Sequence, residues 1–124
     1  MKYKLVQRKN PQKRNEEGKW YAAPVNEGKV LQKNISNDIV ALSSLSRGDV
    51  SNVIDNLFDI VPKYLLMGKS VNLGDLGTFR LSFSSEGVAK PEEFKTQLMK
   101  GVRVLFTPSS ELREQIKKVK YEKA

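Results

Sequence analysis

Residues Lys69 to Phe83 read KSVNLGDLGTFRLSF, and the rest of the chain falls into place around them. Val71 and Leu73 on one side, and Phe79, Leu81 and Phe83 on the other, keep a two-residue period across Gly74-Asp75-Leu76-Gly77, the pattern of two strands joined by a tight glycine-rich turn. No helix follows those glycines, so their amides lack the dipole reinforcement of a phosphate-cradling loop and the segment reads as a turn. Upstream, from Ser46 to Met67, Val50, Val53, Ile54, Leu57, Ile60, Val61, Tyr64 and Leu65 have helical spacing. Ser46 and Asp49 fit a capping box at its start, and Gly68 supplies a left-handed stop at its end. Pro62 predicts a kink, or a boundary between two helices. The apolar face of this helix is wider than packing on one neighbour requires, which points to a partner subunit.

Working outward, Leu31, Ile35, Ile39 and Leu42 lie on one stripe of a first helix from about Leu31 to Ser43. Before it, Met1 to Val6 and Trp20 to Val25 read as two strands, with Pro24 at an edge position and a turn-rich basic loop between them. After Phe83 the hydrophobic period lapses through SSEGVAKPEEFKTQLMKG and returns at Val102, Val104 and Phe106, a third strand ending at Pro108. The intervening residues suggest a long β-ribbon or partly mobile arm, about residues 84–101. Ser109 or Ser110 then caps a last helix carrying Leu112, Ile116 and Val119 on one face, with Lys117, Lys118 and Lys120 near its negative end.

The charge is unevenly placed. Twenty-two Lys and Arg against 14 Asp and Glu give a net charge of +8, which favours polyanionic partners, nucleic acid foremost, or serves solubility alone. Residues 1–33 carry +6, residues 34–83 carry −1, and the remainder carries +3. Cysteine and histidine are both absent, so disulfides, thiolate or imidazole metal sites and nucleophilic triads built on those groups are excluded. Asp55 and Asp59 share a helix face with Lys63 and read as solvated carboxylates, not a catalytic pair. No enzyme, cofactor or small-molecule substrate is indicated. The absence of a long apolar run or a signal-peptide core gives the expectation of a cytoplasmic protein with no membrane partner.

A long helix followed by G-K-x-V-x-L-G-D-L-G-T-F-R-L resembles the HU/IHF bacterial histone-like DNA-binding proteins, whose corresponding stretch is similar to V-x-L-x-G-F-G-T-F. The resemblance covers roughly Leu31 to Lys120. Residues 1–30 have no counterpart in the compact pattern but resemble the strand-forming extension of longer HU-like proteins. The implied fold is α+β: two N-terminal helices, a three-stranded antiparallel sheet with a β-ribbon arm, a C-terminal helix and extra N-terminal strands, intertwined as a homodimer. The implied function is largely sequence-tolerant binding and bending or compaction of double-stranded DNA in the nucleoid. The alternative is an HU-like protein-interaction module with weak DNA affinity, and RNA binding is a third reading.

The residues themselves suggest where DNA would lie. If Phe79, Leu81 and Phe83 point into the core, pleating puts Thr78, Arg80, Ser82 and Ser84 on the opposite face, with Arg103 beside them. Guanidinium and hydroxyl groups on an open sheet suit phosphate and minor-groove contacts, although a merely solvated face would look the same. The resemblance makes Pro91 a candidate wedge between base pairs, flanked by Lys90, Lys95 and Lys100 as phosphate contacts. The family's arm is rich in Arg before that proline, whereas Glu92 and Glu93 follow it here. Lys2, Lys4, Arg8, Lys9, Lys13 and Arg14 form a basic cluster able to add electrostatic contacts or to keep a loop soluble. Trp20 and Tyr21 next to it are packing residues or stacking platforms.

Overall fold

A computed structural model describes residues 1–124. The element order is β1 (Lys2–Arg8), β2 (Lys19–Pro24), α1 (Gln32–Leu42), α2 (Arg47–Leu66), β3 (Val71–Asn72), β4 (Gly77–Ser85), β5 (Met99–Pro108), α3 (Ser110–Ile116) and β6 (Glu122–Lys123). Two three-stranded sheets result, ordered β2-β1-β6 and β3-β4-β5. The second is antiparallel throughout, as the alternation around Gly74–Gly77 requires.

Helix α2 starts and stops where its sequence says. The Ser46 hydroxyl accepts the Asp49 N–H at 3.1 Å, while the Asp49 carboxylate accepts the Ser46 N–H at 3.3 Å, satisfying two orphan donors of the first turn. Pro62 sits inside one uninterrupted helix. At the far end Gly68 takes φ 79°; its N–H bonds the Leu65 carbonyl at 2.9 Å and the Lys69 N–H bonds the Tyr64 carbonyl at 3.2 Å, the pairing that closes a helix through a left-handed glycine.

The turn into β4 explains the glycines of the deciding stretch. Gly74 (φ 59°) and Gly77 (φ 151°) occupy backbone regions that side-chain-bearing residues avoid. Gly77 is also buried, and a Cβ there would overlap the Thr107 carbonyl oxygen and lie 2.8 Å from the Phe106 ring. Beside it Phe79 packs on Phe106 with ring centroids 4.8 Å apart. Ser109 ties this turn to α3: its hydroxyl donates to the Asp75 carbonyl and accepts the Leu112 N–H at 3.0 Å, and its own N–H donates to the Leu76 carbonyl at 3.0 Å.

Very little of this chain is covered by itself. Val50 (2% exposed) and Leu65 are the only buried apolar side chains. Helix α2 carries two apolar stripes. Val50, Ile54, Val61 and Leu65 turn inward, whereas Val53 (61% exposed), Leu57, Ile60 and Tyr64 face solvent. The stripe on α1 is open as well, with Leu42 at 89%. On the sheet, Val102 (70% exposed), Val104, Phe106 and Phe83 are uncovered. Exposed apolar surface this extensive marks an interface.

Three elements differ from the sequence reading. The expected β-ribbon arm is paired only as far as Ser85 and Met99, where the Glu86 N–H closes on the Leu98 carbonyl at 3.0 Å. Residues 86–98 instead form a loop with short 3-10 turns at Pro91–Glu93 and Thr96–Leu98. Pro91 has no N–H for a ladder, and no apolar alternation compensates. Helix α3 ends at Ile116 instead of reaching Val119, because the Lys118 and Val119 amides close tighter three-residue turns on the Gln115 and Ile116 carbonyls at 3.1 and 3.2 Å. The chain then turns and contributes β6, parallel to β1, with Lys2 opposite Glu122. The N-terminal ammonium donates to the Lys120 carbonyl at 2.7 Å, so the terminal hairpin gains a third strand from the other end of the chain.

Candidate nucleic-acid interface

The outer face of β4 and β5 collects the cations that the pleat predicts. Phe79 pairs with Phe106 and Leu81 with Val104, which fixes these four on the inner face; Thr78 with Thr107, Arg80 with Leu105 and Ser82 with Arg103 then alternate onto the outer one. Arg80 and Arg103 are exposed, sit diagonally on that face, and neither makes an ion pair. Leu105, opposite Arg80, is half-buried. The face is therefore open, polar and positively charged around one apolar spot.

A β-bulge adds a third cation. Ser82 faces Arg103 but Ser84 faces Lys100, so Gly101 and Val102 together oppose Phe83. Gly101 takes φ 68°, the left-handed bulge position that glycine fills without steric cost. In an unbroken register Lys100 would face Ser85 on the apolar side. With the extra residue it stands beside Ser84 on the outer face, and the Ser84 hydroxyl donates to its carbonyl at 3.2 Å. Lys100 is paired with Glu86 at 3.6 Å, both side chains well exposed, a contact weak enough to be exchanged for a phosphate. Sequence alone groups Lys100 with the arm; the signal for its true place is a glycine at the edge of an apolar strand.

The remaining predicted residues lie elsewhere. Lys90 and Lys95 precede the two 3-10 turns of the 86–98 loop, their carbonyls accepting from the Glu93 and Leu98 amides at 3.0 Å, and Pro91 is the first residue of the first turn. Neither lysine is ion-paired, and neither are Glu92 and Glu93. Lys2, Lys4 and Arg8 share one face of β1, Lys2 being paired with Glu27 at 3.3 Å, while Lys9, Lys13 and Arg14 belong to the β1–β2 loop. Trp20 is 64% exposed opposite Gln7 and packs on nothing that covers it. A polar cleft of about 510 Å³ between α1 and α2, lined by Gln32, Lys33, Ser36, Asn37, Arg47 and Ser51, has no signature in the sequence because its residues are scattered over two helices.

Comparison with known proteins places this architecture. The HU-HIG model, described as an HU domain fused to wHTH, Ig, or Glycine-rich motif, matches residues 1–123. The chain belongs to the HU-HIG family. The match takes in the terminal sheet as well as the helices and β3-β4-β5, so the HU-HIG pattern extends over the N-terminal hairpin that the compact HU/IHF pattern lacks. A solved protein from Bacteroides vulgatus ATCC 8482, provisionally designated a bacterial DNA-binding protein, shares the fold with a TM-score of 0.65 and 22% identity. The alignment covers 98% of the HU-HIG chain and 47% of the other, so the present chain spans about half the length of that relative. No curated protein matches the chain. No helix is long and apolar enough to cross a membrane.

Proposed function

We propose that two copies of this HU-HIG chain pair through the open stripes of α1 and α2 and the inner face of β4 and β5, and that the joined outer faces bind the backbone of double-stranded DNA with little regard to sequence. The observation that carries this is the division of one sheet: an apolar inner face left open by the single chain, and an outer face bearing Arg80, Arg103 and Lys100 among Thr78, Ser82 and Ser84. Guanidinium groups without carboxylate partners bind phosphate oxygens at no cost in broken ion pairs, and hydroxyls add contacts that carry no base information. The designation of the Bacteroides protein and the family's HU domain favour the same partner.

Bending and compaction, the nucleoid role expected from the resemblance, fall to the 86–98 loop. Pro91 is the apolar wedge and Lys90 and Lys95 are its phosphate anchors, while Glu92 and Glu93 repel the backbone and keep the bend modest. The unpaired Glu92 and Glu93 favour the second reading, a paired HU-like module that docks proteins. Reversing charge with Arg80→Glu and Arg103→Glu separates the two. Under the DNA reading, retardation of random duplexes is abolished and the paired state survives; unchanged retardation refutes it.

A further inference from the structure

The platform makes no use of the β1–β2 loop, yet this loop is a built object. The Asn10 side-chain oxygen accepts the Gln12 N–H at 3.0 Å, the Asn10 carbonyl accepts the Lys13 N–H at 3.0 Å, the Lys13 carbonyl accepts the Glu16 N–H at 3.2 Å, and the Gln7 side chain donates to the Gly18 carbonyl at 3.0 Å. Gly18 allows the closing approach, since a Cβ there would lie 2.7 Å from the Arg8 carbonyl carbon. These turns gather Arg8, Lys9, Lys13 and Lys19 with Tyr21 around a hollow of about 620 Å³ that also takes in Glu16 and Glu17. Arg14 stands on the adjoining side of the loop. Lys13 to Glu16, at 3.9 Å, is the only ion pair any of these cations makes, and the Arg8 guanidinium lies 6.0 Å from the Tyr21 ring centroid. Residues 8–19 thus hold five cations against two carboxylates, in a loop whose backbone is hydrogen-bonded to itself.

Ordering before binding is what a polyanion site needs, because the entropy of fixing the chain is then not subtracted from the affinity. The tip also lies far from the point where the hairpin is anchored. The base of β1 is tied at Met1 and Lys2 to Lys120 and Glu122, and a strand rising about 3.3 Å per residue carries the tip roughly 20 Å from that tie. Lys9 to Gly18 contains no large apolar side chain able to enter a lipid layer.

We propose that the β1–β2 tip is a second duplex contact, holding the phosphate backbone of the same DNA beyond the segment that lies on the platform. It rests on the duplex-binding reading above, and its test is separable from the test of that reading. The triple variant Lys9→Ala, Lys13→Ala, Arg14→Ala is titrated over a salt series against a duplex of about 12 base pairs and one of about 40, whose lengths differ by roughly 95 Å at 3.4 Å per pair. On the long duplex the slope of log K against log salt falls by about 2 to 3 for each hairpin engaged, at about 0.9 for every phosphate no longer neutralised. On the short one wild type and variant coincide. A charge-keeping variant, Lys9→Arg, Lys13→Arg, Arg14→Lys, retains the wild-type slope on both, which rules out loop collapse as the cause. An unchanged slope on the long duplex, or an equal fall on both lengths, overturns the second contact. So does a variant that loses binding to anionic vesicles while keeping its DNA slope. Arg80→Glu with Arg103→Glu, run in parallel, reports on the platform: if it still binds the short duplex, the platform fails whatever the hairpin does.

Discussion

Replacing Gly101 by valine puts the outer face itself on trial. At φ 68° a side-chain-bearing residue is disfavoured, by about 1–2 kcal/mol in the left-handed region, and a Cβ would stand 3.0 Å from the Ser84 hydroxyl oxygen. β5 relieves both by closing the bulge, which sets residue 101 opposite Ser84 and turns Lys100 toward the apolar face opposite Ser85. Each chain then neutralises one phosphate fewer, and the slope of log K against log salt falls by about 0.9 per chain, matching a Lys100→Ala variant. Deleting Gly101 behaves differently. Val102 still opposes Phe83 and Lys100 still opposes Ser84, now in a continuous ladder, so the deletion binds with the wild-type slope. Duplex titrations over a salt series, with circular dichroism to confirm folding, measure all four proteins. A folded Gly101→Val protein with the wild-type slope, or a deletion that binds as poorly as Gly101→Val, refutes the assignment of Lys100 to the binding face.

Gly77→Ala forces a Cβ against the Thr107 carbonyl and the Phe106 ring; overpacking and backbone strain together cost about 3 kcal/mol, read in a thermal melt as a fall of roughly 10 °C. Val53→Asp with Ile60→Asp places carboxylates on the open stripe of α2; sedimentation then finds single chains where wild type pairs, and duplex affinity drops with the pairing. Ser46→Ala removes the hydroxyl that caps α2 and lowers stability by about 1 kcal/mol in a denaturant titration, with the salt slope unaltered.

How much of the fold is legible in the residues follows from which interactions are local. The start of α2 can be read because Ser46 and Asp49 satisfy one another across a single turn, and its stop because Gly68 alone can take the left-handed position. The β4–β5 register follows from alternation, and with it the common face of Arg80 and Arg103. What escapes a sequence reading depends on contacts distant along the chain. Strand β6 is two polar residues whose only signal is a partner about 120 positions away. The place of Lys100 turns on one extra residue in β5, and a period-two reading reverses at such a point. Family likeness gives the 86–98 loop a ribbon, where Pro91 and its acidic neighbours form a 3-10 turn. The basic residues between 2 and 14 look like one patch along the sequence; strand geometry divides them into Lys2 and Lys4 near the base of β1 and Arg8, Lys9, Lys13 and Arg14 around the tip.

Native mass spectrometry of the purified chain mixed with a random duplex weighs pairing and DNA binding in one spectrum. Two chains on one duplex are expected, with free protein also present as a pair. A single chain on the duplex, or protein and duplex that never appear together at low salt, contradicts paired binding.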